Sequence, residues 1–119
     1  MPFGGNDWLA LTQETTLEPD LPICDPHHHF YFRRLDRIPY HNYHIEDLYG
    51  DLNSGHNVVS TVFVEARAMY RPDGPEEMRP VGEVEFVQGM AAAGATGLYG
   101  TARAAAGIVG HANLNLGEK

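Results

Sequence analysis

The stretch NVVSTVFVEA, residues 57–66, restricts the fold more than any other part of the chain. From Val58 to Val64 it is built almost wholly of β-branched and aromatic residues, and no charge appears before Glu65. A strand with one wet face alternates apolar and polar residues. This run does not, so it predicts a strand covered on both faces, as in a parallel sheet. Parallel neighbours need a long crossover, usually a helix. Both flanks offer one. In HIEDLYGDLNSG, residues 44–55, Ile45, Leu48 and Leu52 recur at helical spacing and Gly55 is placed to cap the end. On the other side, ARAMYRPDGP reads as a turn. RPVGEVEFVQGMAAAG then predicts a helix with Val81, Val84, Val87 or Gln88, and Met90 or Ala91 on one stripe. Pro80 suits its first turn, and Gly94 is the expected stop.

Two more strands complete the pattern. LPICD, residues 21–25, is a brief apolar run expected to end at Pro26, because proline cannot donate to a ladder. AAAGIVGHANL is ambiguous: alanine favours helix, but Gly107 and Gly110 bracket Ile108-Val109 and favour a short strand. The order strand, helix, strand, helix, strand predicts an α/β chain of right-handed βαβ units, about three parallel strands with two helices. Residues 1–20 form an N-terminal extension. NDWLALTQE there suggests a short helix capped by Asn6 or Asp7, with Trp8, Leu9 and Leu11 as its apolar side. Residues 21–119 form the domain. FYFRRLDRIPYHNY, residues 30–43, reads as a loop, and LNLGEK falls where a third helix would begin.

Composition narrows the function classes. The chain has 119 residues and a formal charge of -8, with no cluster of lysine and arginine. That disfavours nucleic acid and anionic membranes as partners and leaves a small-molecule substrate. No window approaches the ~18 apolar residues of a membrane span, and the N-terminus lacks a basic leader, so a cytoplasmic location is expected. The single cysteine, Cys24, allows no intramolecular disulfide, which suits a reducing compartment. Its apolar setting predicts a small buried hydrophobe.

The chemistry concentrates in ICDPHHHF, residues 23–30. On a strand, alternate side chains share a face, so Asp25, His27 and His29 are expected together, with Cys24, Pro26 and His28 opposite. Imidazoles at i and i+2 stand ~7 Å apart at Cβ, close enough to converge on one ion at ~2.0–2.1 Å. The competing reading is two histidines bonded to loop backbone. Two ligands alone do not hold a catalytic zinc; a third must come from elsewhere. Asp25 either orients an imidazole or caps the turn. Glu65 emerges where the β-branched run ends, with Arg67 and Arg71 in the following loop. Such arginines can clamp a carboxylate with paired hydrogen bonds or simply sit at the surface. His41, His44 and His56 lie in or beside loops and are expected to be solvated.

ICDPHHHF resembles the first-strand D-x-H-x-H motif of the amidohydrolase-related family, metal-dependent hydrolases of TIM-barrel fold. SGHNVVSTVFVEARAMYRPDGPEEMRPVGEVEFVQGMAAAG and AAGIVGHANLNLG resemble the second and third βα units of the subgroup that includes the pyrone-dicarboxylate lactonases. The resemblance runs from about Trp8 to Gly117. It implies His27 and His29 as ligands of a divalent metal, usually zinc, that activates water against a carbonyl or lactone carbon. It implies a small lactone, amide or carboxylated substrate held near Glu65, Arg67 and Arg71. The family's other metal ligands and its aspartate general base follow later strands, and the base is expected beyond residue 119. A (β/α)8 barrel takes ~250 residues, so this chain would hold only its N-terminal units and be inactive alone. The alternatives are a decarboxylase on the same scaffold, or a non-catalytic remnant that binds metal through its two histidines. His111 matches no ligand of the family.

Overall fold

The computed structural model describes residues 9–32 and 42–117. Three parallel strands, β1 (Pro22–His28), β2 (Asn57–Val64) and β3 (Arg103–Val109), form one sheet in the order β1-β2-β3. Two helices, α1 (Ile45–Leu52) and α2 (Val81–Gly94), make the crossovers. Short 3-10 turns at Glu76–Met78 and Leu114–Leu116 complete the described elements. The alternation of strand and helix expected from the apolar pattern is therefore present. Among the described residues, no helix is long and apolar enough to cross a membrane. Leu9 and Ala10 are helical, but Leu9 and Leu11 are exposed, so they form no packed side. The proposed caps Asn6 and Asp7, together with Trp8 and His41, lie outside the described residues.

β2 departs from the expectation of two covered faces. Thr61 and Phe63 are fully buried, whereas Val58, Val62 and Val64 are half-buried and Val59 is 43% exposed. The cause lies in the crossovers. Ile45, Leu48, Tyr49 and Leu52 of α1 and Val87 of α2 join Phe63 and Ala104 in one core. One side of the strand is thus packed. Phe30 stacks on Phe63 with ring centroids 5.7 Å apart, and both rings are fully buried. Burying each is worth about 1.5–3 kcal/mol.

Pro26 does not end β1; the strand runs through it to His28. The ladder yields instead. Asp25 pairs with Thr61 and His28 with Phe63, so three steps along β1 match two along β2. β1 lies at the edge of the sheet, where a proline without N–H is tolerated, and a bulge absorbs the extra residue. Cys24, expected inside, is exposed.

β3 is longer than the pair Ile108-Val109 suggested, because Ala104 to Ala106 are strand despite their helical propensity. Ala104 and Ala105 are buried, and only small side chains fit there: Gly94 of α2 would place an added Cβ 3.3 Å from the Ala104 methyl. Close packing overrides propensity at these positions. α2 meets its expected stripe only in part: Val87, Met90 and Ala91 face the core, but Val81 and Val84 do not. Gly82, Glu83, Val87 and Gly94 are buried, with Phe86, Met90 and Ala91 packed beside them, while Val81 and Val84 are half-exposed. Counting apolar residues misses the first turn of that face because its members there are a glycine and a carboxylic acid. α1 ends on Asn53, whose N–H reaches the Tyr49 carbonyl at 3.0 Å, and not on Gly55.

Candidate metal centre

The histidine run straddles the sheet. His27 and His29 turn to one another, with Nε2 atoms 3.3 Å apart and ring planes nearly perpendicular. Two nitrogens on a tetrahedral ion at ~2.0–2.1 Å stand about 3.3–3.4 Å apart, so the separation equals that of two ligands of one zinc. His29 Nδ1 lies 2.7 Å from the Val64 carbonyl oxygen. A carbonyl only accepts, so Nδ1 carries the proton and Nε2 of the neutral ring offers a bare lone pair. This is the orientation that ligating histidines obtain from a backbone acceptor. Without an ion, the same geometry serves a hydrogen bond donated by His27 Nε2 to His29 Nε2. Among the described residues, no third histidine, cysteine or carboxylate joins the pair.

Asp25 is occupied elsewhere. Its Oδ1 accepts the His27 backbone N–H at 3.2 Å, closing the turn around Pro26. The bulge also breaks the simple alternation, since Asp25 stands in register with buried Thr61 and not beside the imidazole pair. Of its two suggested roles, the observed bond is that of the cap.

His28 points into the core. Its Nε2 lies 2.8 Å from the Thr61 hydroxyl, which accepts the Ala105 N–H at 2.7 Å. One buried threonine thus ties β1, β2 and the irregular stretch of β3 together. Phe30 and Phe63 meet the imidazole edge to face. Burial pushes His28 below its ordinary value of 6.5, against the opposing pull of the Asp25 carboxylate. Its Nδ1 is buried without a partner, so protonation at both nitrogens would leave an N–H unsatisfied. The unfolded chain therefore takes up this proton first as pH falls. The stability His28 contributes is present above about pH 6.5 and is lost below it. Urea unfolding of metal-free protein at pH 7.5 and 5.5 checks this: wild type should lose more stability over the interval than His28→Gln, and equal losses would refute it.

The loop after β2 carries the other expected residues. Glu65 continues the ladder, its N–H bonded to the Val109 carbonyl at 2.9 Å, and its side chain is half-buried at the strand end. Arg67 is exposed. Arg71 is engaged with Glu85 of α2 at 2.8 Å; this bond holds the Glu85 carboxyl below its usual range and raises the arginine. The pair is solvent-exposed and contributes little stability. His44 is not solvated as expected. It is half-buried, stacked on Phe32 and edge-on to Phe86, while His56 is exposed.

Glu83 is the polar residue that sequence reasoning missed. Only 1% exposed, it accepts the Ala66 and Ala68 N–H groups on one oxygen, at 2.9 and 2.8 Å. It thereby anchors a loop in which Arg67 and Met69 adopt left-handed backbone at φ 62° and 59°. Burial raises the Tyr70 phenol, helped by the carboxylates of Glu83 and then Glu65. Glu83, with Glu85 two residues on, gives no periodic signal; its place three residues after Pro80, in the first helical turn, is the one hint.

His27, His29 and Glu65 gather at the C-terminal ends of β1 and β2, with the 66–71 loop beyond β2 and His111 beyond β3. No family model, curated protein or solved structure matches the chain.

Proposed function

We propose that the chain supplies the first two ligands of a divalent-metal hydrolase of the amidohydrolase-related type, acting on a small lactone, amide or carboxylated substrate. In this reading the three strands are opening units of a (β/α)8 barrel, whose catalytic groups collect at the C-terminal strand ends. The observation that carries it is the convergence of His27 and His29, 3.3 Å apart, with His29 held in the ligating tautomer by the Val64 carbonyl. His27 and His29 would hold the ion. A bound zinc lowers the pKa of its water toward about 7 and polarises a carbonyl. The chain's own residues set the stage for that chemistry. The bulge at Pro26 aims His27, Asp25 fixes the turn, and Val64 keeps the His29 lone pair free. The remaining donors and the general base come from outside the described residues.

The two-donor count favours one second reading, a metal-binding unit without catalysis. Zinc titration of the purified chain by calorimetry tests the shared premise. His27→Ala and His29→Ala should each weaken binding by at least about 10–100-fold, the loss seen when only a group that orients a ligand is removed. His56→Ala, at an exposed position, should leave it unchanged. If the double variant binds zinc as wild type does, both readings fail. If the ligands hold but no hydrolysis of aryl ester or lactone substrates is measured, the non-catalytic reading is the one that stands.

A further inference from the structure

We infer that a hollow beside the β2–α2 loop is a subsite for the carboxylate of a small organic acid that also carries a hydroxyl or amine donor. The hollow has a volume of about 420 Å³ and is lined by Arg67, Tyr70, Glu76, Arg79, Pro80 and His111. That is the size of a small-molecule site. Two arginines, Arg67 and Arg79, line it in a chain whose overall charge is -8. Neither is in an ion pair with a carboxylate among the described residues, in contrast to Arg71, which is held by Glu85. The Nε of Arg79 is buried and has no hydrogen-bond partner. No hydrogen bond or ion pair holds either guanidinium among the described residues, so both can turn N–H donors toward a carboxylate oxygen in the hollow. Arg67 stands at the exposed mouth, on left-handed backbone that Glu83 pins through Ala66 and Ala68. A non-glycine residue in that conformation costs energy, and the anchoring of its neighbours keeps it there. Tyr70 adds a hydroxyl and His111 an imidazole to the lining. Glu76 is the one carboxylate in the lining, so an acid bearing its own donor suits the hollow better than a bare dianion.

The proposal shares the strand-end location with the hydrolase reading but requires no metal. The full chain, treated with a chelator, is titrated with malate, succinate and inorganic phosphate, following amide chemical shifts. Malate should bind most tightly, with the largest shifts in residues 66–71 and at His111. Arg67→Ala should weaken malate about tenfold, the loss expected for one charge-assisted hydrogen bond, and the double variant with Arg79→Ala further still. Arg67 is exposed, so its variant retains the fold even if Arg79→Ala does not. Arg71→Ala should leave affinity unchanged. His27→Ala should also leave it unchanged while weakening zinc binding, which separates failure of this site from failure of the metal centre. Preference for phosphate over malate overturns the carboxylate assignment. Equal malate affinity in wild type and Arg67→Ala, or an equal loss in Arg71→Ala, overturns the site.

Discussion

Glu83→Ala is expected to lower the unfolding free energy by about 2–4 kcal/mol, measured by urea denaturation. The carboxyl oxygen removed accepts two loop N–H groups, and the Ala68 bond is fully buried. Each unsatisfied buried donor costs about 1–3 kcal/mol. The loss is offset in part because alanine removes a buried carboxyl whose second oxygen has no partner of its own. Glu83→Gln keeps one acceptor oxygen of the same reach and should lose clearly less. The substitution also releases the loop that presents Arg67, so amide exchange at residues 66–71 should quicken in Glu83→Ala before global unfolding does. If Glu83→Ala and Glu83→Gln are equally stable, the anchor has been misassigned.

Three glycine-to-alanine changes on one helix should give three outcomes. A Cβ on Gly82 would stand 2.6 Å from the Arg71 nitrogen and 2.6 Å from the Met69 oxygen, both backbone atoms that cannot step aside. Gly82→Ala should therefore destabilise by about 3 kcal/mol, the upper range for overpacking. On Gly94 the nearest atom is the Tyr49 hydroxyl at 2.7 Å, the tip of a side chain. That tip is bonded to the Ala102 carbonyl, so Gly94→Ala should cost about 1 kcal/mol as the bond adjusts. Gly89 has nothing within 4 Å, and Gly89→Ala should stabilise by up to about 1 kcal/mol through helix propensity. Thermal or urea unfolding of the three variants checks the order. A Gly82→Ala protein as stable as Gly89→Ala would mean that the loop does not press on α2.

The two tests bear on the same structural device. The β2–α2 loop is held from below by the missing side chain of Gly82 and from within by the carboxyl of Glu83. Its strained residues, Arg67 and Met69, lie between those fixed points. Rigid support of this kind is what a binding loop at a strand end needs if its side chains are to be positioned before a ligand arrives.

Much of the architecture could be read directly from residue order. The β-branched run of β2, the spacing of Ile45, Leu48 and Leu52, and the stop at Gly94 placed strand and helix in alternation, and alternation leads to parallel pairing. The i, i+2 spacing of His27 and His29 foretold that their rings could meet, because pleat periodicity is local chemistry. What escaped were features set by contact across the chain. The bulge that carries β1 through Pro26 exists because a ladder partner, β2, can absorb the mismatch. The alanines of β3 lie in a strand because α2 packs against it with little room for larger side chains, with Ala105 in left-handed backbone at φ 50°; propensity alone would have made them helical.

Local patterning along the chain was thus enough to establish β2, both helices and their alternation, and to suggest which two imidazoles share a side, since each depends on neighbours a few residues away. The burial of Gly82 and Glu83 on α2, the burial of His28, and the meeting of Arg67, Arg79 and His111 depend on groups 12 or more residues apart. Those were settled by close packing and by the need to satisfy buried polar atoms, which no window of sequence contains.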